Sequence, residues 1–575
     1  MNTQTLQPST ATPRADAAPA LDLKGLLLGF KREAAWVAVF GLFSNLLTLA
    51  PTLYMMQVFD RVMVSGSEYT LAALSLLTVF LFLVMGFAEW GRSRLLVRAG
   101  TRFDLMAQEP VFRASFEAAL RQSGADKGRA LADLTQLRQF LTGTAVFAVM
   151  DAPWTLIFTG VLFLIHPWLG WTALVFVAVM ISLAALGSRM ASPLHKKAQA
   201  SLNDSNNYLQ GKLRNTDAVE AMGMLQALQR RWLTIHDTHL AQHRQGQEAT
   251  HRSGSMLKFV QYMQQTLVLA LGAVLAIQGQ ISAGAMIACN ALMGSALRPT
   301  GLIVAAWSTF IETRGAYQRL NSLLQEHPAR AGRTDVAALK GQITVRKLTA
   351  SAPGRKTPIL DDISLEFVPG EVVGIIGPSG AGKSTFARCL LGIWPDTQGE
   401  VLLDGTPIQQ WSREAIGPAL GYLPQDIEMF EGTIAENIAR FEPESENEVI
   451  NAAKRTGIHA MVLHLPKGYD TPMGVAGSAL SGGQRQRIGL ARAIFGDPLV
   501  VVLDEPNANL DDAGEAALLK AVADLKSRGA TVFMIVHQPQ MLRVADRLLM
   551  LEQGRVARFG KLRFETAAPK EATPT

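Results

Sequence analysis

The sequence is poor in cysteine and has no apolar segment at its start. Only two cysteines occur among the 575 residues, Cys289 and Cys389, and they lie in different predicted elements, so we expect neither a disulfide framework nor a cysteine metal site. The first 20 residues are rich in Ala, Thr and Pro and lack the core of a signal peptide. We therefore predict a disordered cytosolic tail over 1–30 and a flexible tail over 565–575.

Four long stretches of the first half lack Asp, Glu, Lys and Arg: 34–59, 69–88, 152–188 and 259–297. A bilayer requires about 20 apolar residues per helix, so each shorter stretch accommodates one span and each longer stretch two. The sequence therefore predicts six transmembrane helices. Their ranges are 36–59, 70–89, 145–165, 168–187, 258–278 and 283–308.

Positive charge is concentrated on one side of these spans. Residues 91–143 carry nine Lys and Arg and residues 188–256 another nine, whereas the connections around 62–69, 166–167 and 278–280 are short and nearly uncharged. Basic segments stay on the cytoplasmic side of a membrane, so we place both termini in the cytoplasm. The net charge of +6 and the pI near 9.3 follow from these segments and indicate no nucleic-acid partner.

One acid, Asp151, lies at the edge of a predicted span. A carboxylate within a membrane is costly without a partner, so Asp151 either has a functional role or caps and pairs locally. The sequence does not decide between these two readings. Pro153 would kink or start the helix at this place.

The second half contains a complete phosphate-binding loop. An apolar run ending at residue 376 precedes the pattern G-x-x-x-x-G-K-[ST], and a helical stretch follows. The loop consists of Gly377, Pro378, Ser379, Gly380, Ala381, Gly382, Lys383, Ser384 and Thr385. Amides of such a loop and the helix N-terminus bind the phosphates of ATP, while Lys383 supplies charge and Ser384 is placed to bind Mg²⁺.

A strand that ends in two acids lies further along the chain. The apolar run 500–503 leads to Asp504 and Glu505, as expected of a buried parallel strand whose carboxyl end faces a ligand. Asp504 would hold Mg²⁺, and Glu505 would orient or deprotonate the attacking water. With the phosphate loop, this pair predicts ATP hydrolysis.

The order of these motifs resembles that of the ATP-binding cassette (ABC) transporters. The resemblance implies a Q-loop at Gln425 that senses Mg²⁺ and takes part in its binding, a D-loop at Asp511, and a switch histidine at His537 that contacts the γ-phosphate. His537, Glu505 and Lys383 would thus be the catalytic side chains.

Residues 480–484 match the family's signature, LSGGQ. Ser481 and the amides of Gly482 and Gly483, followed by Gln484, open a helix and form a second anion site. The resemblance implies that the signature of one chain closes on ATP held by another. Since this chain has one copy of each motif, we predict a homodimer.

One position departs from the family pattern. Members usually stack adenine on an aromatic residue upstream of the phosphate loop, but residues 348–354 contain none. Such stacking contributes about 1–3 kcal/mol in nucleic-acid binders. We therefore expect weaker adenine affinity or discrimination, with the phosphate contacts intact.

Residues 51–62 and 151–154, followed by His166-Pro167, resemble type I secretion ABC proteins, in particular the PrtD-like exporters that lack an N-terminal peptidase domain. This resemblance implies an inner-membrane homodimer that exports an unfolded polypeptide with an uncleaved C-terminal secretion signal. It implies a periplasmic membrane fusion (adaptor) protein and an outer-membrane TolC-like channel as partners, within the lipid bilayer. Export of lipids or amphiphilic small molecules is the alternative, because it uses the same architecture.

The sequence thus predicts an α-helical six-span transmembrane domain of the exporter type, fused to an α/β P-loop nucleotide-binding domain. The transmembrane domain would cover 31–325 with cytoplasmic helical extensions, and a linker over 326–340 would lead to the nucleotide-binding domain at 341–564. Residues 211–224 are a candidate coupling helix. A regulator without ATPase activity is disfavoured by the presence of Glu505 and His537, and a soluble ABC ATPase by the six spans.

Overall fold

The computed structural model describes residues 22–121, 128–213, 215–327, 333–334, 339–352, 357–443, 446–474, 477 and 480–562. The chain divides into two compact units. Among the described residues, the helical unit holds those of 22–113 and 128–326, and the α/β unit is formed by those from residue 327 onward. The predicted C-terminal tail, part of the predicted linker and residues 353–354 lie outside the described residues.

Helices dominate the chain up to Glu326. They are α1 Leu23–Leu28, α2 Lys31–Leu47, α3 Ala50–Gln57, α4 Met63–Ser65, α5 Glu68–Arg121, α6 Arg129–Thr142, α7 Thr144–Asp151, α8 Trp154–Ile165, α9 Pro167–Leu213, α10 Thr216–Ala221, α11 Leu225–Ile277 and α12 Ala283–Glu326.

The predicted spans 70–89, 168–187 and 283–308 each lie within one helix, whereas 36–59 covers α2, α3 and the start of a π-helix, 145–165 covers α7 and α8, and 258–278 ends one residue beyond α11. By length and composition, four helical stretches among the described residues can cross a membrane, namely Lys31–Ser65, Glu68–Arg121, Pro167–Leu213 and Leu225–Ile277, and the pair α7–α8, bent by 41°, adds a fifth. The sixth predicted span lies in α12, which is not among these apolar stretches. The count of six therefore stays a prediction.

The predicted disordered tail is wrong for its last residues, because α1 lies within it. Asp22 caps this helix by accepting a hydrogen bond from the amide of Lys24 at 3.0 Å, and Leu23 is fully buried. A cap followed by several leucines favours a helical turn over a solvated chain. The part of the predicted tail before residue 22 lies outside the described residues.

The α/β unit is built from ten described strands and seven α-helices. The strands are β1 Ile343–Ser351, β2 Pro358–Phe367, β3 Val372–Ile376, β4 Thr397–Leu403, β5 Thr406–Pro407, β6 Leu420–Leu423, β7 Val500–Asp504, β8 Thr531–Ile535, β9 Arg547–Glu552 and β10 Arg555–Lys561. The helices are α13 Lys383–Leu390, α14 Arg413–Ile416, α15 Ile434–Ile438, α16 Glu446–Arg455, α17 His459–Leu463, α18 Gly482–Ile494 and α19 Asp512–Ser527.

Two sheets organise this unit. One is antiparallel with the order β2-β1-β4-β5, and the other has the order β10-β9-β3-β8-β7-β6. In the second sheet β3, β8, β7 and β6 are parallel neighbours. The strands β7 and β8 are buried along their whole length, and apolar side chains occupy most of both faces.

Residues 51–62, the first segment that resembles secretion-type exporters, contact the start of α12 through Asp60. Asp60 lies in a π-helix, Val58–Val62. Its carboxylate accepts a hydrogen bond from the amide of Gly284 at 2.8 Å and another from the hydroxyl of Ser282. A negative charge at a helix N-terminus is stabilising, so Asp60 caps α12.

The second segment contains Asp151, which pairs locally. Its Oδ1 accepts hydrogen bonds from Nη1 of Arg92 and from Nδ2 of Asn45, each at 2.8 Å. The Arg92 side chain is only 5% exposed and also contacts Glu89 at 3.4 Å and the ring of Phe147. This geometry favours local pairing at the α7–α8 bend, where Pro153 is the N-cap of α8.

Arg92→Ala is expected to destabilise the helical unit. Removing one partner of a buried ion pair leaves the other charge uncompensated, which costs about 3–5 kcal/mol. The measurement is the thermal midpoint in detergent, with exposed Arg98→Ala on the same helix as the matched control. Equal midpoints for the two variants would show that the ion pair of Asp151 with Arg92 does not stabilise the unit. A functional role for Asp151 would then be the better interpretation.

Candidate nucleotide site

The predicted motifs lie at the carboxyl ends of neighbouring parallel strands. The phosphate loop follows β3, Gln425 follows β6, Asp504 ends β7 and His537 follows β8. In the sheet these strands are adjacent in the order β3-β8-β7-β6. Carboxyl ends of parallel strands form the usual ligand crevice of an open α/β sheet, so residues more than a hundred positions apart in sequence share one edge.

The phosphate loop is shaped by its glycines and its lysine. Gly377 has a φ of +154° and approaches strand β9 so closely that a Cβ there would lie 2.2 Å from the carbonyl oxygen of Leu551. The Nζ of Lys383 donates to the carbonyl oxygens of Gly377 at 2.9 Å and Pro378 at 3.1 Å. Gly382, with a φ of +95°, is the N-cap of α13, so the loop leads directly into a helix N-terminus that favours anions.

Asp504 is a fully buried acid in this site. Both of its carboxylate oxygens lack a hydrogen-bond partner among the described residues. Burial raises the pKa of Asp504 and the neighbouring Glu505 carboxylate adds to the rise, while the Ser384 hydroxyl and the charges of Arg388 and Lys383 oppose it. A buried carboxylate without a partner is costly, which makes Asp504 a ready ligand for a cation.

Glu505 and His537 form a contact across β7 and β8. Their side chains meet at 3.1 Å between Glu505 Oε1 and His537 Nε2, and both are partly exposed. Glu505 has a φ of +51°. A non-glycine residue in this region is strained by about 1–3 kcal/mol, a feature that clusters at functional sites.

The signature segment begins α18 with a capping box. The Ser481 hydroxyl accepts from the amide of Gln484 at 3.3 Å, and Oε1 of Gln484 accepts from the amide of Ser481 at 2.9 Å. Helix α18 starts at Gly482, as predicted. The carbonyl end of the Gln484 amide is thus used within the helix cap, while the Ser481 hydroxyl keeps its proton for a further partner.

The D-loop packs behind the signature in the same chain. Asn509 has a φ of +64°, and a Cβ on Gly483 would lie 2.7 Å from its carbonyl oxygen. Asp511 is the N-cap of α19 and accepts a hydrogen bond from Gly514 at 2.9 Å. Its carboxylate also lies 4.0 Å from the guanidinium of Arg487 on α18.

Sequence reasoning missed one residue that acts on this site and one aromatic residue beside the segment 348–354. Arg388, one helical turn into α13, acts on the Asp504 carboxylate. Trp394 lies beside the segment that lacks the usual aromatic, since its indole N–H donates to the carbonyl oxygen of Ser351 at 2.9 Å. Neither residue belongs to a motif, so the sequence carries no signal for their positions.

Comparison with known proteins gives two family models. Residues 35–299 match the ABC transporter transmembrane region, and residues 360–508 match the ABC transporter model. The solved structure of a bacterial Atm1-family ABC exporter with ATP bound has a TM-score of 0.81, covers 92% of this chain and 95% of its own, and is 23% identical. That likeness shows the fold alone.

Similar sequences come from secretion systems. The type I secretion system ATP-binding protein PrsD of Rhizobium meliloti is 38% identical over 95% of this chain and 93% of its own length. The cyclolysin secretion/processing ATP-binding protein CyaB of Bordetella pertussis is 30% identical over 91% of this chain and 74% of its own. The alpha-hemolysin translocation ATP-binding protein HlyB of Escherichia coli is 30% identical over 93% and 76%.

The fold and the nucleotide site together define an exporter-type ABC transporter, a multi-pass membrane protein that couples ATP hydrolysis to transport. Within that class the chain belongs to the type I secretion system ATP-binding proteins. The resemblance predicted from the motifs is confirmed.

Gly483→Ala is expected to lower the ATPase rate by an order of magnitude or more. The added Cβ would force Asn509 away, because 2.7 Å is shorter than real carbon–oxygen contacts, and misplacement by about 1 Å can cost about 100-fold in rate. The measurement is steady-state ATPase in nanodiscs. Gly417→Ala, which meets nothing within 4 Å, is the matched control, and equal rates for both variants would show that the D-loop contact is irrelevant.

Proposed function

We propose that this protein exports an unfolded polypeptide across the inner membrane, driven by ATP, as the ABC component of a type I secretion system. The observation that carries the proposal is the 38% identity over 95% of the chain with a type I secretion ATP-binding protein. Relatives named for translocation or secretion of alpha-hemolysin and cyclolysin support a polypeptide cargo over a lipid. An uncleaved C-terminal secretion signal on the cargo is part of the proposal.

In this proposal the site residues divide the work of ATP hydrolysis. The phosphate loop and Lys383 bind the phosphates, since the loop already orients a helix N-terminus toward them. Glu505 would orient or deprotonate the attacking water, and His537, which contacts Glu505, would contact the γ-phosphate. Gln425, exposed beyond β6, faces the same edge of the sheet.

Mg²⁺ fits the residues at this edge. Asp504 offers two buried oxygens without a partner among the described residues, and the Ser384 hydroxyl is near it. Carboxylate, hydroxyl and amide oxygens are ligands that Mg²⁺ accepts, so Asp504, Ser384 and Gln425 would hold it. The ion would neutralise phosphate charge during transfer.

The working unit in this proposal is a homodimer. Each chain has one phosphate loop and one signature, and the signature begins a helix, whose first amides have no partner within the helix backbone. Both are anion sites by the same physics, so two chains arranged head to tail would enclose two ATP molecules. Ser481, Gly482, Gly483 and Gln484 would contact the ATP of the partner, with Asp511 at the joint.

Orientation and partners complete the proposal. The basic extensions at 91–143 and 188–256 favour a cytoplasmic position for the termini and the α/β unit. The short helix α10, Thr216–Ala221, lies within the segment predicted as a coupling helix. A periplasmic adaptor and an outer-membrane TolC-like channel would continue the export path.

Asp504→Asn is expected to raise the thermal midpoint of the metal-free protein and to abolish its stabilisation by MgATP. Because the pKa of Asp504 is raised, folding opposes its charge, and the wild type loses stability as the pH rises through that pKa. A gain of about 1 kcal/mol corresponds to about 2–4 °C in a unit of this size.

The midpoint would be measured by scanning calorimetry at several pH values, with exposed Asp470→Asn as the control. The advantage of Asp504→Asn should shrink as the pH is lowered and the wild-type carboxyl takes up a proton. A MgATP shift that survives in Asp504→Asn would remove this residue from the metal site.

Cargo class is tested by ATPase measurements in lipid nanodiscs. We expect a saturable change in rate on titration with a C-terminal fragment of a repeat-rich calcium-binding protein encoded beside this chain. No such change is expected from the same fragment without its C-terminal end. Glu505→Gln is the blank, because removal of the general base should reduce turnover to a slow residual rate. A response only to a panel of lipids and amphiphiles would overturn polypeptide export in favour of small-molecule export.

A further inference from the structure

Gln486 is a buried polar residue in the signature helix that belongs to none of the motifs. It follows the signature pentapeptide by two positions, between Arg485 and Arg487, in a stretch that looks solvated in the sequence. In the structure only 3% of Gln486 is exposed. A buried amide needs hydrogen-bond partners, and its partners here are informative.

The Gln486 side chain points to the turn that carries the catalytic acid. Its Nε2 donates to the carbonyl oxygen of Pro506 at 2.9 Å and to that of Glu505 at 3.3 Å. On its other side the turn is held by the Glu505 amide, which donates to the carbonyl oxygen of Ile535 on β8 at 3.1 Å. Within the turn, the Ala508 amide donates to the carbonyl oxygen of Glu505 at 3.1 Å. Helix α18 and strand β8 thus clamp the turn from two sides.

The turn at Glu505 requires these hydrogen bonds from α18 and β8 to keep its conformation. Glu505 is held at a φ of +51°, a conformation that costs free energy for a residue with a Cβ. Strained backbone persists only where its surroundings fix it. The carboxylate that meets His537 at 3.1 Å is attached to this strained residue, so a relaxed turn would move the acid away from the site.

We propose that Gln486 is a positioning residue, which fixes the Glu505 turn to the signature helix and thereby holds the catalytic carboxylate in place for water attack. Ser481 and Gln486 are five residues apart on one helix, or about 7.5 Å along its axis. When the signature shifts as it closes on a nucleotide, it therefore also moves Glu505, the general base in the site of the same chain. This step rests on ATP hydrolysis and not on the nature of the cargo.

Gln486→Met tests the proposal, because methionine keeps the length of the side chain and removes the amide. We expect kcat for ATP to fall about tenfold, while KM for ATP changes little, since the phosphate contacts are untouched. Gln409→Met, an exposed glutamine in the short helix Ile408–Gln410, is the matched control.

A double-mutant cycle separates positioning from general packing. In the Glu505→Gln background, Gln486→Met should change the single-turnover release of radiolabelled phosphate by less than about twofold, because the acid that it positions is already absent. A tenfold loss that persists in that background would show a packing role and overturn the proposal. A kcat of Gln486→Met equal to that of the wild type would also overturn the proposal.

Gln486→Glu supplies a pH readout if Gln486→Met folds poorly. A glutamate that faces two carbonyl oxygens donates a hydrogen bond only when protonated, so the rate of this variant relative to the wild type should rise as the pH falls. A pH-independent ratio would overturn the proposal. Absence of ATPase activity in the wild type would instead refute the proposed function and would be seen before any variant is compared.

Discussion

Parallel pairing of β3, β8, β7 and β6 is the constraint on which the nucleotide site depends. Each strand ends at the same edge of the sheet, and each is followed at once by a functional segment. The height of these ends is fixed by the strand register, in which Val500 to Asp504 of β7 pair with Thr531 to Ile535 of β8. Lys383, Asp504 and His537 therefore lie at one edge of the sheet although they are far apart in sequence.

The sequence predicted most of this edge, since phosphate-loop glycines, paired acids at a strand end and a signature helix each have a local pattern. It also predicted the helical ranges of the spans, because charge-free runs are long and clear. Hydrogen-bond partners that lie far apart in the sequence had no such local pattern. Nothing in the sequence joins Arg92 to Asp151 or Gln486 to Glu505, since hydrogen bonds between distant segments depend on packing that single-sequence periodicity does not encode.

Charge in the two units is handled in different ways. In the helical unit, the charge of Asp151 is compensated by Arg92, and its Oδ1 accepts a further hydrogen bond from Asn45. In the α/β unit, Asp504 keeps both oxygens without a partner among the described residues. The first arrangement suits a joint in a bent helix pair, and the second suits a group that must accept a ligand.

The Asp60 cap has a mechanical consequence for the helical unit. Its carboxylate contacts Ser282 and Gly284, while Asp60 itself lies in a π-helix continuous with α3. Hydrogen bonds thus hold the beginning of α12 and the end of the first hydrophobic segment together at one point. When these two helical segments tilt relative to each other, their displacement is smallest at this contact and grows toward their opposite ends.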